Sequence, residues 1–305
     1  MSDVPPSKKV DVEVGGRTLA LSNLDKVLYP EVGFTKAEVI DYYVRIAPVL
    51  LDHLGDRGIT MRRYPNGVDA GSFFEKRCPS HRPAWVEAAD GPGDRGGNIG
   101  YCRLAEEAAL AWAANLAALE LHAPMARADD IESPTMVVFD LDPGPGTAMR
   151  ECAVVAEWIH AVLAGIELTS YPKTSGSKGL QVYVPLNAPH THDHTKAFAL
   201  TVSQVVEQQH PELIVTTQAK EQRTNKLLID WSQNSRHKTT ICVYSLRARP
   251  HPTVSTPVTW DEVADAADGA PLSFEASDVL ARVAEHGDLF APTLTEVQHL
   301  PPLPE

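Results

Sequence analysis

Residues 136–146 read MVVFDLDPGPG, and this stretch decides both the fold and the place where chemistry is expected. Four apolar residues lead into Asp140, and Asp142 follows after Leu141, immediately before a Pro-Gly turn. Alternate side chains of a strand point to the same face, so Asp140 and Asp142 share one face. Two like charges on one face repel each other, and burying either without a partner is costly. The stretch therefore predicts a strand that carries two carboxylates toward a positively charged partner.

The composition is that of a soluble globular protein, because 43% of the 305 residues are hydrophobic and 22% are charged. The sequence has no apolar run of about 18 residues that would predict a membrane span. Its first residues, MSDVPPSKKVDVEV, lack the apolar core of a secretory signal. The cysteines form no CxxC pair, which predicts reduced thiols in a cytoplasmic protein. They are Cys78, Cys102, Cys152 and Cys242.

The net charge of −13 argues against a nucleic-acid-binding protein when it is taken as a whole. Binding depends on local positive surface, however, and basic residues gather in four short segments. These segments are 61–65, 75–82, 235–240 and 245–251. Such clusters are more often solvated faces than binding sites, so charge alone leaves the question open.

The patterning of apolar residues predicts a mixed α/β (α+β) fold in which strands and helices alternate irregularly. Residues 11–22 predict a hairpin with Gly15-Gly16 as its turn. Thr35 and Glu38 predict a capping box at the start of a helix over 36–54. Further helices are predicted at 103–118, 147–164, 194–209, 259–266 and 277–287. Further strands are predicted at 58–63, 83–90, 168–171, 180–185, 214–219, 226–231 and 240–246, and a Gly-rich turn at 91–97.

Residues 173–179, KTSGSKG, have the make-up of a loop that binds phosphate. Gly176 and Gly179 allow backbone N–H groups to turn toward a ligand, while Ser175 and Lys178 supply further donors. The spacing of a Walker loop is absent. A plain flexible loop is the alternative at this point.

Residues 227–234, LLIDWSQN, repeat the pattern of the opening stretch, because Asp230 ends an apolar strand. Three strand-borne aspartates and a phosphate loop indicate phosphoryl transfer assisted by a divalent metal. One candidate is a phosphatase of the haloacid dehalogenase type, but that family needs Gly-Thr after the second Asp, where Pro143-Gly144 stands here. The other is a nucleotidyltransferase, in which two metals hold a triphosphate.

The motifs FDLDPG, SGSKGL, IDWSQN and YSLRAR, in this order, resemble the archaeo-eukaryotic primase superfamily. The resemblance is closest to the polymerase domain of the bacterial non-homologous end-joining ligase D, and NLDKVLYP, YPNGVD and FFEKRCPSHRPAWV extend it. It implies a single compact primase-polymerase module of two sheet-containing lobes with flanking helices. The expected division is a flexible segment over 1–10, the domain over 11–290 with a lobe boundary near 128–135, and a Pro-rich tail over 291–305. Because no ligase nucleophile motif is seen, the module is expected to stand alone.

The resemblance also implies a role for each matching residue. Catalysis and metal binding fall to Asp140, Asp142 and Asp230. Nucleotide binding falls to Ser175, Gly176, Lys178, His122, Arg62, Arg63, Gln181, Arg247 and Arg249. Asn23, Lys26 and Lys36 match a pocket for a DNA 5′-phosphate. Phe73, Phe74 and Arg223 match contacts to the template or the DNA end, although core packing is the commoner fate of a phenylalanine.

Gln181 departs from the family pattern, which has histidine after Ser-Gly-Ser-Lys-Gly-Leu. A neutral amide can donate to a phosphate oxygen but cannot carry a positive charge. The substitution therefore predicts a weaker hold on the triphosphate.

These observations favour a primase-polymerase that uses Mn²⁺ or Mg²⁺ in a two-metal site and adds nucleotides to primer 3′ ends at gaps or breaks bearing a 5′-phosphate, in DNA repair. The resemblance implies a preference for ribonucleotides among NTPs and dNTPs. It also implies a bacterial nucleoid location in the cytoplasm, and a separate ligase and an end-binding repair protein as partners. A DNA-end-binding protein with weak or lost catalysis and the phosphatase remain the alternatives.

Overall fold

The computed structural model describes residues 9–93 and 96–302, and within them lie fifteen strands and seven α-helices. The strands of the first half are β1 (Lys9–Val14), β2 (Arg17–Ser22), β3 (Val27–Tyr29), β4 (Phe34–Thr35), β5 (Thr60–Arg63), β6 (Phe73–Glu75), β7 (Ala88–Pro92), β8 (Asn98–Cys102) and β9 (Ala118–Ala123). The later strands are β10 (Met136–Pro143), β11 (Tyr171–Thr174), β12 (Leu180–Pro185), β13 (Ile214–Val215), β14 (Leu227–Asp230) and β15 (Thr240–Ile241). The helices are α1 (Lys36–Leu54), α2 (Glu107–Asn115), α3 (Met149–Ala164), α4 (His192–Gln209), α5 (Trp260–Ala267), α6 (Ala276–His286) and α7 (Pro292–Thr295).

Two sheets organise the fold. The larger sheet has the order β11-β12-β10-β14-β13, and only the β13–β14 pair within it is parallel. The smaller has the order β15-β9-β5-β6 and is antiparallel throughout. Three further strand pairs, β1-β2, β3-β4 and β7-β8, form separate hairpins.

The strand that carries the opening motif is the central strand of the larger sheet, and its two faces meet different surroundings. Val137, Phe139 and Leu141 are fully buried in a core with α3, α4 and α5. Met136 and Val138 face the other way, into a core shared with the smaller sheet, α1 and α2. The aspartates continue this second face beyond the point where the apolar core ends. The predicted strand with two carboxylates on one face is confirmed.

Local signals in the first half of the chain are also confirmed. The hairpin turns at Gly15-Gly16, where both residues have positive φ. The Thr35 side chain accepts a hydrogen bond from the backbone of Glu38, whose carboxylate accepts one from the backbone of Thr35. The helix spans Lys36–Leu54 as predicted.

Other predicted boundaries are wrong because tertiary pairing overrides local preference. The helix predicted over 103–118 spans Glu107–Asn115, since Ala117 turns the backbone at φ 57° and the following residues join the smaller sheet as β9. The turn predicted over 91–97 begins later, because residues 91 and 92 still belong to β7 and pair with β8. The strands predicted over 214–219 and 240–246 shrink to two residues each, Ile214–Val215 and Thr240–Ile241.

The expectation of four reduced cysteines is wrong for one pair. Cys78 and Cys102 form a disulfide, whereas Cys152 and Cys242 are free and buried. The backbone of Cys78 donates to the carbonyl of Gly100, which brings the segment after β6 alongside β8. Sequence spacing gives no sign of this approach.

The chain ends are only partly covered by the described ranges. β1 begins at Lys9, inside the segment predicted to be flexible, and the residues before it lie outside the described part. Residues 291–302 of the predicted tail pack on the protein, where Gln298 donates from its side chain to Pro185 O and from its backbone to Leu186 O. Within residues 9–93 and 96–302, no helix is both long and apolar enough to cross a membrane.

Candidate active site

A row of four polar residues crosses the larger sheet on the face where the apolar core ends. Lys173 lies opposite Gln181, Gln181 opposite Asp140, and Asp140 opposite Asp230. Directly opposed residues of antiparallel strands share a face, with Cβ atoms about 4.5–5.5 Å apart. The register of three strand pairs therefore brings together residues that are distant in sequence.

Two members of the row, Gln181 and Asp140, line an open cavity of about 440 Å³, whereas Lys173 and Asp230 are not among its described lining residues. Asp140 and Asp142 line it together with Ser175 and Lys178 of the predicted phosphate loop. The remaining lining residues include His122, Ser177, Gly179, Gln181, Arg223, Gln233, Thr239, Thr240 and Arg247. Carboxylates, basic groups and hydroxyl groups thus line one space that can admit a ligand.

Hydrogen bonds within the predicted phosphate loop and close contacts with neighbouring segments fix its conformation, which argues against a plain flexible loop. The Ser175 hydroxyl accepts hydrogen bonds from the backbone of Ser177 and Gly179. A side chain at Gly179 would come within 2.2 Å of Leu141 O, so only glycine lets the loop lie against β10. Gly176 has φ +66° and its carbonyl accepts from the Thr253 hydroxyl.

Burial and mutual repulsion both oppose ionisation of the carboxylates. Burial and the charges of Asp142 and Asp230 raise the pKa of Asp140 to about 7, against an opposing hydrogen bond from Gln181. Burial and Asp230 likewise raise the pKa of Asp142. A donor set made only of carboxylate oxygens fits a hard divalent cation such as Mg²⁺ or Mn²⁺.

Asp230 differs from the other two carboxylates because protein donors already surround it. It accepts hydrogen bonds from Gln218, from the backbone and hydroxyl of Ser232, and from Gln233. A metal at Asp230 has to compete with these donors. Consistent with this, no group of three or more His, Cys, Asp or Glu in the described part of the chain is arranged to hold a metal ion as it stands.

Glu120 is a site residue that the sequence analysis missed. Its carboxylate, 2% exposed, lies 3.1 Å from His122 Nε2, 3.4 Å from Arg247 Nε and 3.5 Å from Arg62 Nη1. Burial opposes its ionisation, but the hydrogen bond from His122 and the charge of Arg247 prevail and lower the pKa of Glu120 to about 2. The buried carboxylate of Glu120 therefore fixes two residues that line the cavity, His122 and Arg247. The signal in the sequence was a Glu within an apolar strand, two residues before His122.

Arg62 and Arg63 were both predicted to bind the nucleotide, and neither is among the described residues that line the cavity. As neighbours on β5 they point to opposite faces. Arg62 reaches Glu120 and so approaches the cavity, whereas Arg63 pairs with Glu75 at 2.9 Å and donates to Leu116 O. Arg249 likewise does not line the cavity.

Phe73 and Phe74 are 46% and 54% exposed, so core packing is the wrong interpretation for both. The guanidinium groups of Arg63 and Arg62 lie 5.2 and 5.1 Å from the two ring centres, respectively. The Phe74 ring also meets His122 edge-on, with centroids 5.5 Å apart. The pair is an exposed aromatic surface beside the cavity.

Asn23, Lys26 and Lys36 come together in a separate place. The backbone of Lys36 donates to Lys26 O, and that of Lys26 donates to Asn23 O. Lys36 Nζ donates to Ser22 O, and burial with the charges of Lys26 and Arg63 lowers the pKa of Lys36 to about 8. Lys26, Lys36 and Arg63 place three positive charges close together, which favours the binding of an anion. Arg63 therefore belongs to this cluster rather than to the cavity lining.

Arg223, which was predicted to contact the template or the DNA end, is among the residues that line the cavity, and its guanidinium donates to the carbonyl of Gln218. Gln181 also borders the cavity, but it is 2% exposed and its amide is bonded to Lys173 and Asp140.

Comparison with known proteins identifies the family. The family described as LigD, primase-polymerase domain, matches residues 35–290. This chain belongs to that family. Members of the LigD primase-polymerase family are nucleotidyltransferases of the DNA polymerase and primase type, and the chain is therefore an enzyme of this type.

The matches with related proteins cover most of this chain. A multifunctional non-homologous end joining protein LigD of Mycolicibacterium smegmatis is 45% identical over 89% of this chain and 35% of its own length. A bifunctional LigD of Bacillus subtilis is 32% identical over 88% of the chain and 43% of its own length. The chain thus spans less than half of these proteins. A solved polymerase domain from Mycobacterium tuberculosis ligase D, in complex with DNA, matches with a TM-score of 0.85 and 41% identity, over 92% of this chain and 99% of that one.

Proposed function

We propose that this LigD-family domain is a metal-dependent primase-polymerase that adds nucleotides, preferably ribonucleotides, to primer 3′ ends at short gaps or breaks with a downstream 5′-phosphate. The observation that carries this proposal is the presence of two carboxylates and the predicted phosphate loop in the lining of one cavity of about 440 Å³. Polymerisation needs both, because a triphosphate must be held while charge develops on its oxygens.

Asp140, Asp142 and Asp230 would hold Mg²⁺ or Mn²⁺, which supplies positive charge to the attacking and leaving oxygens. Ser175 and Lys178, in the lining of the same cavity, would donate to the triphosphate. Arg247 and Arg223 add two cationic donors at the sides of the same cavity. The reacting groups would thereby be oriented by the carboxylates and the cationic donors of one cavity, which lowers the entropic part of the barrier.

The DNA would be held at two further places. The cations at Lys26 and Lys36, with Asn23, suit a terminal 5′-phosphate, because burial and the neighbouring positive charges lower the pKa of Lys36 and an anion would stabilise its ammonium. Phe73 and Phe74 offer exposed rings on which template bases can stack. The DNA in the complex of the mycobacterial polymerase domain supports this assignment by analogy. A separate ligase, an end-binding repair protein and a location at the bacterial nucleoid follow as further proposals.

The test uses a labelled primer on gapped DNA, with NTPs or dNTPs and Mn²⁺ or Mg²⁺. Extension that requires the metal and is faster with NTPs is the expected result. A mobility shift without any extension would instead support a DNA-end-binding protein that has lost catalysis. Equal rates with NTPs and dNTPs would contradict the ribonucleotide preference and leave the polymerase assignment standing.

A further inference from the structure

Lys173 is a buried lysine that the proposed chemistry does not use. It is 1% exposed and does not appear among the described residues that line the cavity. Its Nζ donates to Gln181 Oε1 at 2.5 Å, to Ser255 Oγ at 2.7 Å and to Ile241 O at 3.1 Å. An ammonium has three donors, so all of them are satisfied inside the protein.

Gln181 connects Lys173 to Asp140 through hydrogen bonds. Its Oε1 accepts from Lys173 and from the Tyr183 hydroxyl, while its Nε2 donates to Asp140 Oδ1 at 2.9 Å. An ammonium only donates and a carboxylate only accepts, so a residue between them must accept on one side and donate on the other. The two neighbours therefore fix the orientation of the amide.

This arrangement leaves Gln181 little capacity for a nucleotide. Both lone pairs of Oε1 are occupied, and one of the two Nε2 hydrogens is bonded to Asp140. The strand register holds the same three residues side by side, because Gln181 pairs with Lys173 on one edge and with Asp140 on the other. The hydrogen-bonded chain is thus fixed by backbone as well as by side chains.

We propose that Gln181 is a positioning residue: it holds Asp140 in the orientation that binds metal, with Lys173 as its anchor, and it is not a principal contact of the triphosphate. The inference rests on the proposed metal-binding function of Asp140. Residues that orient a metal ligand affect metal affinity, typically by about 10–100-fold when they are lost. A residue that grips the triphosphate affects nucleotide binding instead.

The test compares Gln181→Met and Lys173→Met with Lys178→Ala. Methionine keeps the length of each side chain but removes its hydrogen bonds to the row. Mn²⁺ binding, followed by the electron paramagnetic resonance of free Mn²⁺ without nucleotide, should weaken about 10-fold or more in both Met variants. The KM for nucleotide at saturating Mn²⁺ should stay within about twofold in both, whereas Lys178→Ala raises it.

The double variant Lys173→Met/Gln181→Met guards against misfolding, because it removes the buried donor and its acceptor together. It should bind Mn²⁺ no more weakly than either single variant, since the two residues act through one connection. Unchanged Mn²⁺ affinity in the folded double variant would overturn the proposal, as would a rise in nucleotide KM for Gln181→Met that matches Lys178→Ala. Activity that survives in Asp140→Asn would instead overturn the metal function on which the inference rests.

Discussion

Asp140 and Asp230 lie directly opposite each other on neighbouring antiparallel strands, and their surroundings differ sharply. Asp140 accepts one side-chain hydrogen bond, from Gln181, whereas Asp230 accepts from Gln218, Ser232 and Gln233. Two residues with the same expected chemistry therefore contribute differently to stability. Replacing each residue in turn can therefore distinguish an effect on nucleotide addition from an effect on stability.

Asp140→Asn should abolish nucleotide addition without loss of stability. The change removes a proposed metal ligand and also a buried charge that repels Asp142 and Asp230. Burial and the charges of these two residues raise the pKa of Asp140 to about 7. The melting temperature should equal or exceed that of the wild type. Primer extension and a thermal melt measure the two effects, and extension at near wild-type rate would contradict the assignment.

Asp230→Ala should also abolish addition, but it should lower the free energy of unfolding by about 1–3 kcal/mol. The side chains of Gln218, Ser232 and Gln233 lose their shared acceptor in this variant. Urea denaturation beside Asp140→Asn provides the comparison. Equal stability of the two variants would show that these hydrogen bonds contribute nothing.

Binding of a gapped DNA should depend on its 5′-phosphate and on Lys36. The contact is expected to be worth about 1.5–3 kcal/mol, or roughly tenfold or more in affinity. Because the pKa of Lys36 is lowered to about 8, its ammonium loses its proton as the pH rises through that value. Bound phosphate raises this pKa, so the preference for phosphorylated DNA should fall above pH 8.

Fluorescence anisotropy with phosphorylated and dephosphorylated gaps tests this dependence. Lys36→Ala should bind both equally, and Lys9→Ala, a change at an exposed residue of β1, is the control. If the wild type binds both DNAs equally at pH 7, the pocket is assigned wrongly.

Glu120→Gln should destabilise the protein and weaken nucleotide binding, because Arg62, Arg247 and His122 lose their common anion. A loss of roughly 2 kcal/mol is expected, below the value for a fully buried pair since the arginine side chains stay 34% and 19% exposed. The folded pKa of Glu120, about 2, lies below the ordinary 4.5. The stabilisation is therefore full above pH 4.5 and is lost as the pH falls toward 2.

Urea denaturation at neutral and acidic pH checks both the size and the pH dependence of the Glu120 effect. Asp41→Asn is the control, because its pair with Arg45 is exposed and should change stability by less than about 1 kcal/mol. An equal loss at both pH values would rule out the charge as the cause.

Phe74→Ala should weaken binding to DNA with a template overhang and leave the fold intact. The ring is 54% exposed, so little burial is lost, whereas stacking on a base is worth about 1–3 kcal/mol. Affinity for overhanging and blunt DNA, together with a thermal melt, measures the effect. Ile166→Ala, at another exposed apolar residue, should change neither quantity.

Much of the site was predictable from short stretches of sequence, because the relevant signals are local. Alternation along residues 136–142 places Asp140 and Asp142 on one face, and this depends only on the period of a strand. The capping box at Thr35 is likewise set by contacts within a few residues. These elements appear where the sequence predicts them.

The partners of those elements were decided only by the tertiary structure. That Asp230 faces Asp140, and that Gln181 is bonded to Lys173 and Asp140, follows from the order and register of four strands. The same holds for Glu120, and for Arg63, which lies with Lys36 and away from the cavity. Register between strands distant in sequence is set by which faces are buried together, and a shift of one residue would turn every side chain to the other face.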